Sequence, residues 1–372
     1  MADGQRSAKE REKLAPESSL GQSKKSHLGT DLIDSPSKFE KLMKPKLWGT
    51  SRKRVGAGDV VTVGESEFLL VRQVGGESGE VSGKSETWFA KTVGNVETSV
   101  FLKKFNTPKY PTIDEINNTT EGQKAKKNCE EFAKHHQLIM MKLGADQAGT
   151  GALVKPIVFG RPSDSLTFVK VYPWVVEGMI LDQNQVIKWS VNEKVIFIRT
   201  LCLAIWELHS RGIVHGDIKR ENVIVVMMPI GPVARLIDFD DSYLSSDPPI
   251  SFENLFVGTT EFTPEWKNLE DPTHSPKNMS MTLGLHTDIF QLSVMLNKVF
   301  SENDIDWIMP SDSNQVDSDA ASKALMGAQP RCSDLGTTNS RFKQQLEMSL
   351  YCDPKRRPSI ASILSTLGVT IK

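Results

Sequence analysis

Cysteine is scarce: four in 372 residues (Cys129, Cys202, Cys332 and Cys352), with no C-x-x-C pair among them. That speaks against a disulfide framework or a zinc site and favours a reducing compartment. Long apolar runs are missing. No stretch would span a bilayer, and no apolar signal core follows Met1. Charge of one sign is missing too. Forty-five basic and 46 acidic residues leave a formal net charge of −1, so nothing draws the whole chain to nucleic acid or to a membrane. No internal repeat is present. The expectation is a soluble cytoplasmic protein. A hydrophobic share of 38% is enough for an ordinary core.

Residues 1–54 are polar and rich in Ser and Lys, with no sustained period. They read as a disordered, mildly basic tail that closes on Arg52, Lys53 and Arg54. From Val55 the pattern changes. "DVVTVGESEFLLVRQVGG" reads as two strands. "ETWFAKTV" and "TSVFLKKF", joined across Gly94-Asn95, read as a hairpin. "KAKKNCEEFAKHHQLIMMKLG" reads as a helix that closes on Gly144. "ALVKPIVFG" and "LTFVKVYPWV" read as further strands. After Pro173 helices dominate. Ser190 and Glu193 form a capping box, and Val195, Ile198, Cys202, Ile205 and Leu208 follow at helical spacing until Gly212. "NVIVV" and "VARLIDF" read as strands, and "HTDIFQLSVMLNKVF" as an apolar-striped helix. The stretch from Asp304 to Arg341 carries no clear period.

The chemistry lies in "HGDIKRENVIV", residues 215–225. A helix has ended, a strand is about to begin, and the polar residues between them sit on a loop. Phosphoryl transfer asks little covalent work of a protein. It needs a carboxylate near the attacking hydroxyl, oxygens for Mg²⁺ and a cation on the phosphates. Asp217 can accept or orient a hydroxyl proton. Lys219 can neutralise the moving phosphate. Asn222 offers a neutral oxygen to a hard cation, and Asp238 of "LIDFDD" offers a second oxygen ligand at the next strand end.

These segments together resemble the eukaryotic-type serine/threonine protein kinases, in bacterial or phage-like form. "HGDIKREN" is similar to H-R-D-x-K-x-x-N, and "DFD" to D-F-G. "GTTEFTPEW", "HTDIF" and "CDPKRRPSI" resemble three later signatures, in the family's order. The resemblance covers about residues 60–368. It implies an α+β, bilobal protein kinase-like fold: a small β-rich N-lobe at 55–173 and a larger helical C-lobe at 174–372. It implies ATP and Mg²⁺ as cofactors and protein Ser/Thr as acceptor. The serines of the protein's own tail, tethered at high effective concentration, are a further expected acceptor.

The resemblance also assigns roles. Asp217 would be the catalytic base, with Lys219 beside it. Asn222 and Asp238 would hold Mg²⁺. Glu265 and Arg357 would form a buried structural pair, and Asp288 would brace the catalytic loop. His215 would pack and hydrogen-bond. In "SVFLKKF" Lys103 would take the nucleotide phosphates; strand alternation puts it on one face with Phe101, and Leu102 and Lys104 on the other. Lys91 lies on the preceding strand and ranks below it. The helical acid that should pair with Lys103 is Glu130 or Glu131. They lie ~100° apart, so only one can face inward, and Glu131 is preferred; His135 is an outside candidate. Gly75, Gly76, Gly79 and Gly83 would supply the phosphate-cradling turn, in an open register. "GEVSGKS" is not a P-loop, because three residues separate its glycines where four are needed, and Ser78 fills the required position.

Two departures stand out. Gly216 replaces the Arg of H-R-D, and the stretch between Asp238 and Glu265 has hydroxyls but no Lys or Arg. A phosphate there would find no local cation, so activity independent of phosphorylation of that segment is expected. Asp240 replaces the Gly of D-F-G, which removes the most permissive backbone position. The H-G-D form also suits small-molecule phosphotransferases of the aminoglycoside or choline kinase type. Those generally lack Lys219, "TPE" and Arg357. A third alternative is a nucleotide-binding pseudokinase scaffold; its usual sign is loss of the Lys, base or metal Asp, all present here.

Overall fold

The computed structural model describes residues 56–74, 85–94, 96–144, 151–162, 165–249, 263–270, 281–301, 304–310, 319–337 and 339–371. The N-terminal tail, the four candidate loop glycines and residues 250–262 lie outside them.

The first half is an antiparallel sheet. Its strands are β1 (Val60–Val63), β2 (Ser66–Gln73), β3 (Ser85–Thr92), β4 (Ser99–Phe105), β5 (Val158–Gly160) and β6 (Val169–Pro173), in the order β1-β2-β3-β4-β6-β5. The period of two gives each strand two distinct faces. On one face Val61, Phe68, Leu70, Trp88, Ala90, Val100, Leu102, Val169 and Val171 close into an apolar cluster. On the other, β4 presents Phe101, Lys103 and Phe105. There β6 sets Tyr172 opposite Phe101 and Lys170 opposite Lys103.

This second face is covered by helices α1 (Ile113–Asn118) and α2 (Thr120–Leu143). On α2, Cys129, Phe132, Ala133, His136, Ile139 and Leu143 are buried, a stripe at helical spacing. Phe132 meets Phe105, Phe159 and Phe168. Ile139 and Leu143 reach the main core, so one helix joins the two clusters. The helix stops at Gly144, whose φ of 62° supplies the left-handed cap.

The second half is built on α4 (Val191–Ser210), which follows the short β7 (Met179–Ile180) and α3 (Gln183–Val186). The capping box is formed as expected: the Ser190 hydroxyl accepts from Glu193 N, and the Glu193 carboxylate accepts from Ser190 N. Phe197, Ile198, Leu201, Cys202, Ile205 and Leu208 are wholly buried. Each such side chain contributes about 1.5–3 kcal/mol relative to exposure. Then come β8 (Ile213–Val214), β9 (Val223–Met228), β10 (Gly231–Leu236), β11 (Tyr243–Leu244), α5 (Pro264–Glu270) and α6 (Leu285–Phe300). The chain ends with β12 (Asp306–Ile308), α7 (Ala320–Leu325), β13 (Gln329–Arg331), α8 (Ser340–Ser349) and α9 (Ile360–Thr366). Among its described residues, the stretch without clear period holds a β12–β13 pair, the short helix α7 and the start of α8. Too few residues lie in each for a sequence period to show.

The β9–β10 hairpin sets the site. Val223 pairs with Leu236, so Asn222, just before one strand, lies beside Ile237 and Asp238, just after the other. Ile237 N donates to Asn222 O at 3.0 Å. Residues distant in sequence are neighbours because hairpin register leaves no other arrangement.

Candidate active site

The loop from His215 to Asn222 is held from beneath by α6. Asp288 is wholly buried; its Oδ2 accepts from His215 N and its Oδ1 from Gly216 N, both at 2.9 Å. His209 on α4 adds a 2.9 Å contact to the same Oδ2. Gln291, one turn along α6, accepts from Ile218 N and donates to Gly216 O. Four backbone groups of one loop are thereby fixed by two side chains of one helix. Buried backbone groups need such partners, since an unmade bond there costs about 1–3 kcal/mol. Gln291 was not singled out in the sequence; its three-residue spacing from Asp288 on the same helix was the available signal.

His215 is wholly buried. Its Nε2 contacts Ile237 O at 3.0 Å, its Nδ1 accepts from Asp217 N at 3.3 Å, and Phe239 packs on its ring. Both nitrogens are occupied structurally, as the sequence suggested.

Asp217 follows on the same loop and is buried. Lys219 Nζ lies 2.6 Å from its Oδ2. Asn222 Nδ2 donates to the same oxygen at 2.9 Å and to Asp217 O at 2.8 Å. The other carboxylate oxygen, Oδ1, is buried and accepts nothing. A buried, unpaired acceptor is rare and calls for a functional reason. With its amide nitrogen used twice, Asn222 keeps its carbonyl oxygen for another partner.

Asp238 has a φ of 62°, the left-handed region that a residue with a Cβ seldom enters. Both of its oxygens accept from Lys103, at 3.0 and 2.9 Å. Lys103 therefore reaches Asp238 from β4, the lysine that the family resemblance singled out. Lys91 instead pairs with Glu97 at the surface, and Lys104 with Glu86.

The oxygen donors suit Mg²⁺, which binds one or two protein groups and completes its shell with phosphate and water. Among the described residues no group of three or more His, Cys, Asp or Glu side chains could hold a metal. A cation here would therefore rely on Asn222 and Asp238 together with a nucleotide's own oxygens.

Comparison with known proteins decides the family. The protein kinase domain model matches residues 168–367, more than half of the chain. The chain belongs to the protein kinase domain family. Serine/threonine-protein kinase ppk6 of Schizosaccharomyces pombe is 37% identical over 122 residues, which cover 32% of this chain and 14% of that protein. The chain thus matches a small part of its relative's length.

One expected site residue is placed elsewhere. Glu131 does not pair with Lys103. It is exposed, 3.8 Å from Lys127, and Glu130 is half-buried, 3.7 Å from Lys126. Both acids lie outside the stripe that α2 buries and pair instead with lysines one turn back on the same helix. His135 and His136 face inward. His135 Nε2 contacts Ser242 O at 2.8 Å, and His136 Nδ1 accepts from Lys170 Nζ at 2.8 Å.

The carboxylate at Lys103 comes instead from Asp240. Its Oδ2 lies 2.6 Å from Lys103 Nζ, and its Oδ1 accepts from Lys170 Nζ. Burial opposes the Asp240 charge, but Lys103 and Lys170 outweigh it and hold the carboxyl well below its ordinary range. For Lys103, burial would lower the ammonium's pKa, yet Asp238 and Asp240 hold it above its usual value. Burial, reinforced by Lys170, keeps the His136 ring well below its ordinary value and hence neutral.

Gly216 also has a reason. Its φ is 81°, and a Cβ there would lie 2.6 Å from Asp241 O. An arginine at this position would be both strained and obstructed.

Glu265 and Arg357 meet with both side chains wholly buried, Arg357 Nη2 standing 2.7 Å from Glu265 Oε1. Arg357 also donates to Tyr351 O, His286 O and Cys352 O. The pair ties α5 to the segment before α9.

Proposed function

We propose that the protein is an ATP- and Mg²⁺-dependent protein kinase that transfers the γ-phosphoryl group to Ser or Thr of protein substrates. The observation that carries this reading is Asp217. One oxygen is held by Lys219 and Asn222, and the other is buried with no partner. That leaves a general base with one oxygen fixed and one oxygen whose hydrogen-bonding capacity is unused.

In this reading Asp217 Oδ1 accepts the hydrogen bond of the acceptor hydroxyl and orients its lone pair. Lys219, 2.6 Å from the opposite oxygen, is close enough to neutralise charge on the group in transfer. Asn222 and Asp238 would hold Mg²⁺, which would supply charge neutralisation at the phosphates. Lys103 would hold the nucleotide's phosphate oxygens. In this reading residues 55–173 are a β-rich N-lobe, residues 174–372 a helical C-lobe and residues 1–54 a tail.

Membership of the protein kinase domain family and likeness to a serine/threonine-protein kinase support protein over small-molecule substrates. Lys219 at the base and the Arg357–Glu265 pair support the same choice. The retained Lys103, Asp217 and Asp238 weigh against a pseudokinase. No described helix is long and apolar enough to cross a membrane; we place the kinase in the cytoplasm. The tail carries Ser7, Ser18, Ser19, Ser23, Ser26, Ser35, Ser37 and Ser51. Tethered serines have a high effective concentration, so it would be a substrate in cis.

The test is transfer of labelled γ-phosphate from Mg-ATP, with the protein alone and with a generic basic protein. Label on serine or threonine, the tail included, is expected, with a loss of at least about 10³-fold in Asp217→Asn. Label that persists undiminished in the variant, or ATP turnover driven only by small hydroxylated acceptors, would sink the reading.

A further inference from the structure

Lys103 on β4 and Lys170 on β6 are direct cross-strand partners, and both side chains leave the same face of the sheet. Like charges so placed repel. Here they are also removed from water: 15% of the Lys103 side chain is exposed and 1% of that of Lys170. Two buried ammonium groups side by side require a fixed anion. The helix that covers them offers none, since it turns Glu130 and Glu131 outward and presents His136 to Lys170. The anion is Asp240, with one oxygen on each lysine and 3% of its side chain exposed.

We propose that Asp240 is the positioning residue of Lys103: it supplies, from the loop after β10, the permanent carboxylate that the sequence suggested α2 would supply. The inference rests on the kinase reading and deepens it. Two carboxylates touch Lys103 and differ in access. The Asp238 side chain is 32% exposed and open to a cation, whereas Asp240 is closed to solvent. Asp238 is the exchangeable partner and Asp240 the standing one. Lys103 then stays aimed when Asp238 turns to other ligands. A second consequence concerns α2, which contacts this cluster through imidazoles rather than through an acid. Displacement of the helix would not break the ion pair of Lys103.

The experiment is a double-mutant cycle with Asp240→Asn and Lys103→Met. It reads the Kd of Mg-bound non-hydrolysable ATP by calorimetry, together with kcat and KM, and Lys170→Met serves as control. Asp240→Asn is expected to weaken nucleotide binding about tenfold or more, the scale of a charge-assisted bond. Added to Lys103→Met it should change affinity by less than about twofold, because it acts through that lysine. Lys170→Met should lower the melting temperature but leave the Kd within about threefold, since the contact between Asp240 and Lys103 survives it.

Independent, multiplicative losses in the double variant would overturn the proposal. So would an Asp240→Asn protein with lowered melting temperature but unchanged Kd, kcat and KM. If Asp240→Asn does not fold, Asp240→Glu replaces it in the cycle under the same criterion. Wild-type protein that binds no Mg-nucleotide would fail both the kinase reading and this inference. Normal wild-type transfer with an indifferent Asp240 would fail this inference alone.

Discussion

Gly216 shows how one backbone angle can remove a side chain from a motif. With φ at 81° and Asp241 O where a Cβ would stand, Gly216→Ala should destabilise the protein by at least about 1–2 kcal/mol, the left-handed penalty alone. A denaturant midpoint unchanged from wild type would contradict this. Asp241 is the complementary case. Burial, with Asp217, Asp238 and Asp240 nearby, pushes its carboxyl up to about 8. The folded state therefore keeps a proton that the unfolded chain releases near about 4. The native state binds more protons than the unfolded state between those values, so stability falls as pH rises from about 4 to about 8. Urea midpoints across that window should fall with pH, and Asp241→Asn should flatten the slope. A slope identical in the variant would rule out Asp241 as its source.

At the scale of elements, the helices divide into those that hold the site and those that hold the fold. Helix α6 does the first through Asp288 and Gln291. The α5 segment does the second through Glu265, whose partner Arg357 lies far along the chain. Both side chains are wholly buried, so neither can recover hydration when the other is lost. Arg357→Met should cost about 3–5 kcal/mol, while Glu265→Leu combined with Arg357→Met should cost less than that single change, since no charge is then stranded. Chemical denaturation of the two variants checks the order; a double variant less stable than the single one would refute it. The helix α2 was legible as a helix, with its stop at Gly144. Which of its polar residues face inward was not. A choice between two adjacent acids assumed that one must face inward, whereas the stripe set by Phe132, Ala133, His136 and Ile139 turns both outward.

The molecule as a whole is held across the site by charge. Lys103 and Lys170 extend from the sheet, and Asp238 and Asp240 follow the hairpin of the helical half. A ligand that binds this junction must stabilise the folded state by mass action. At about 100 times its Kd, Mg-ATP should add about 2.7 kcal/mol, read as a rise in melting temperature that chelation with EDTA diminishes. An equal rise with and without EDTA would show that the cation has no part in binding.

Local rules sufficed for much of this protein. Strand alternation on β4 assigned Lys103 and Lys104 to opposite faces, the capping box placed the start of α4, and the loop from His215 to Asn222 stood out as the polar segment between a helix and a strand. These depend on neighbours in sequence, where geometry is nearly fixed. The partner of Lys103 does not. It depends on the β4–β6 register, on the rotation of α2 over the sheet and on the path of the chain after β10. Each of these is settled by burial of apolar surface distributed over many residues. The sequence determined which face of β4 carries Lys103, and the resemblance implied a carboxylate partner for it; only the packing of three separate elements decided that Asp240 would be the one to provide it.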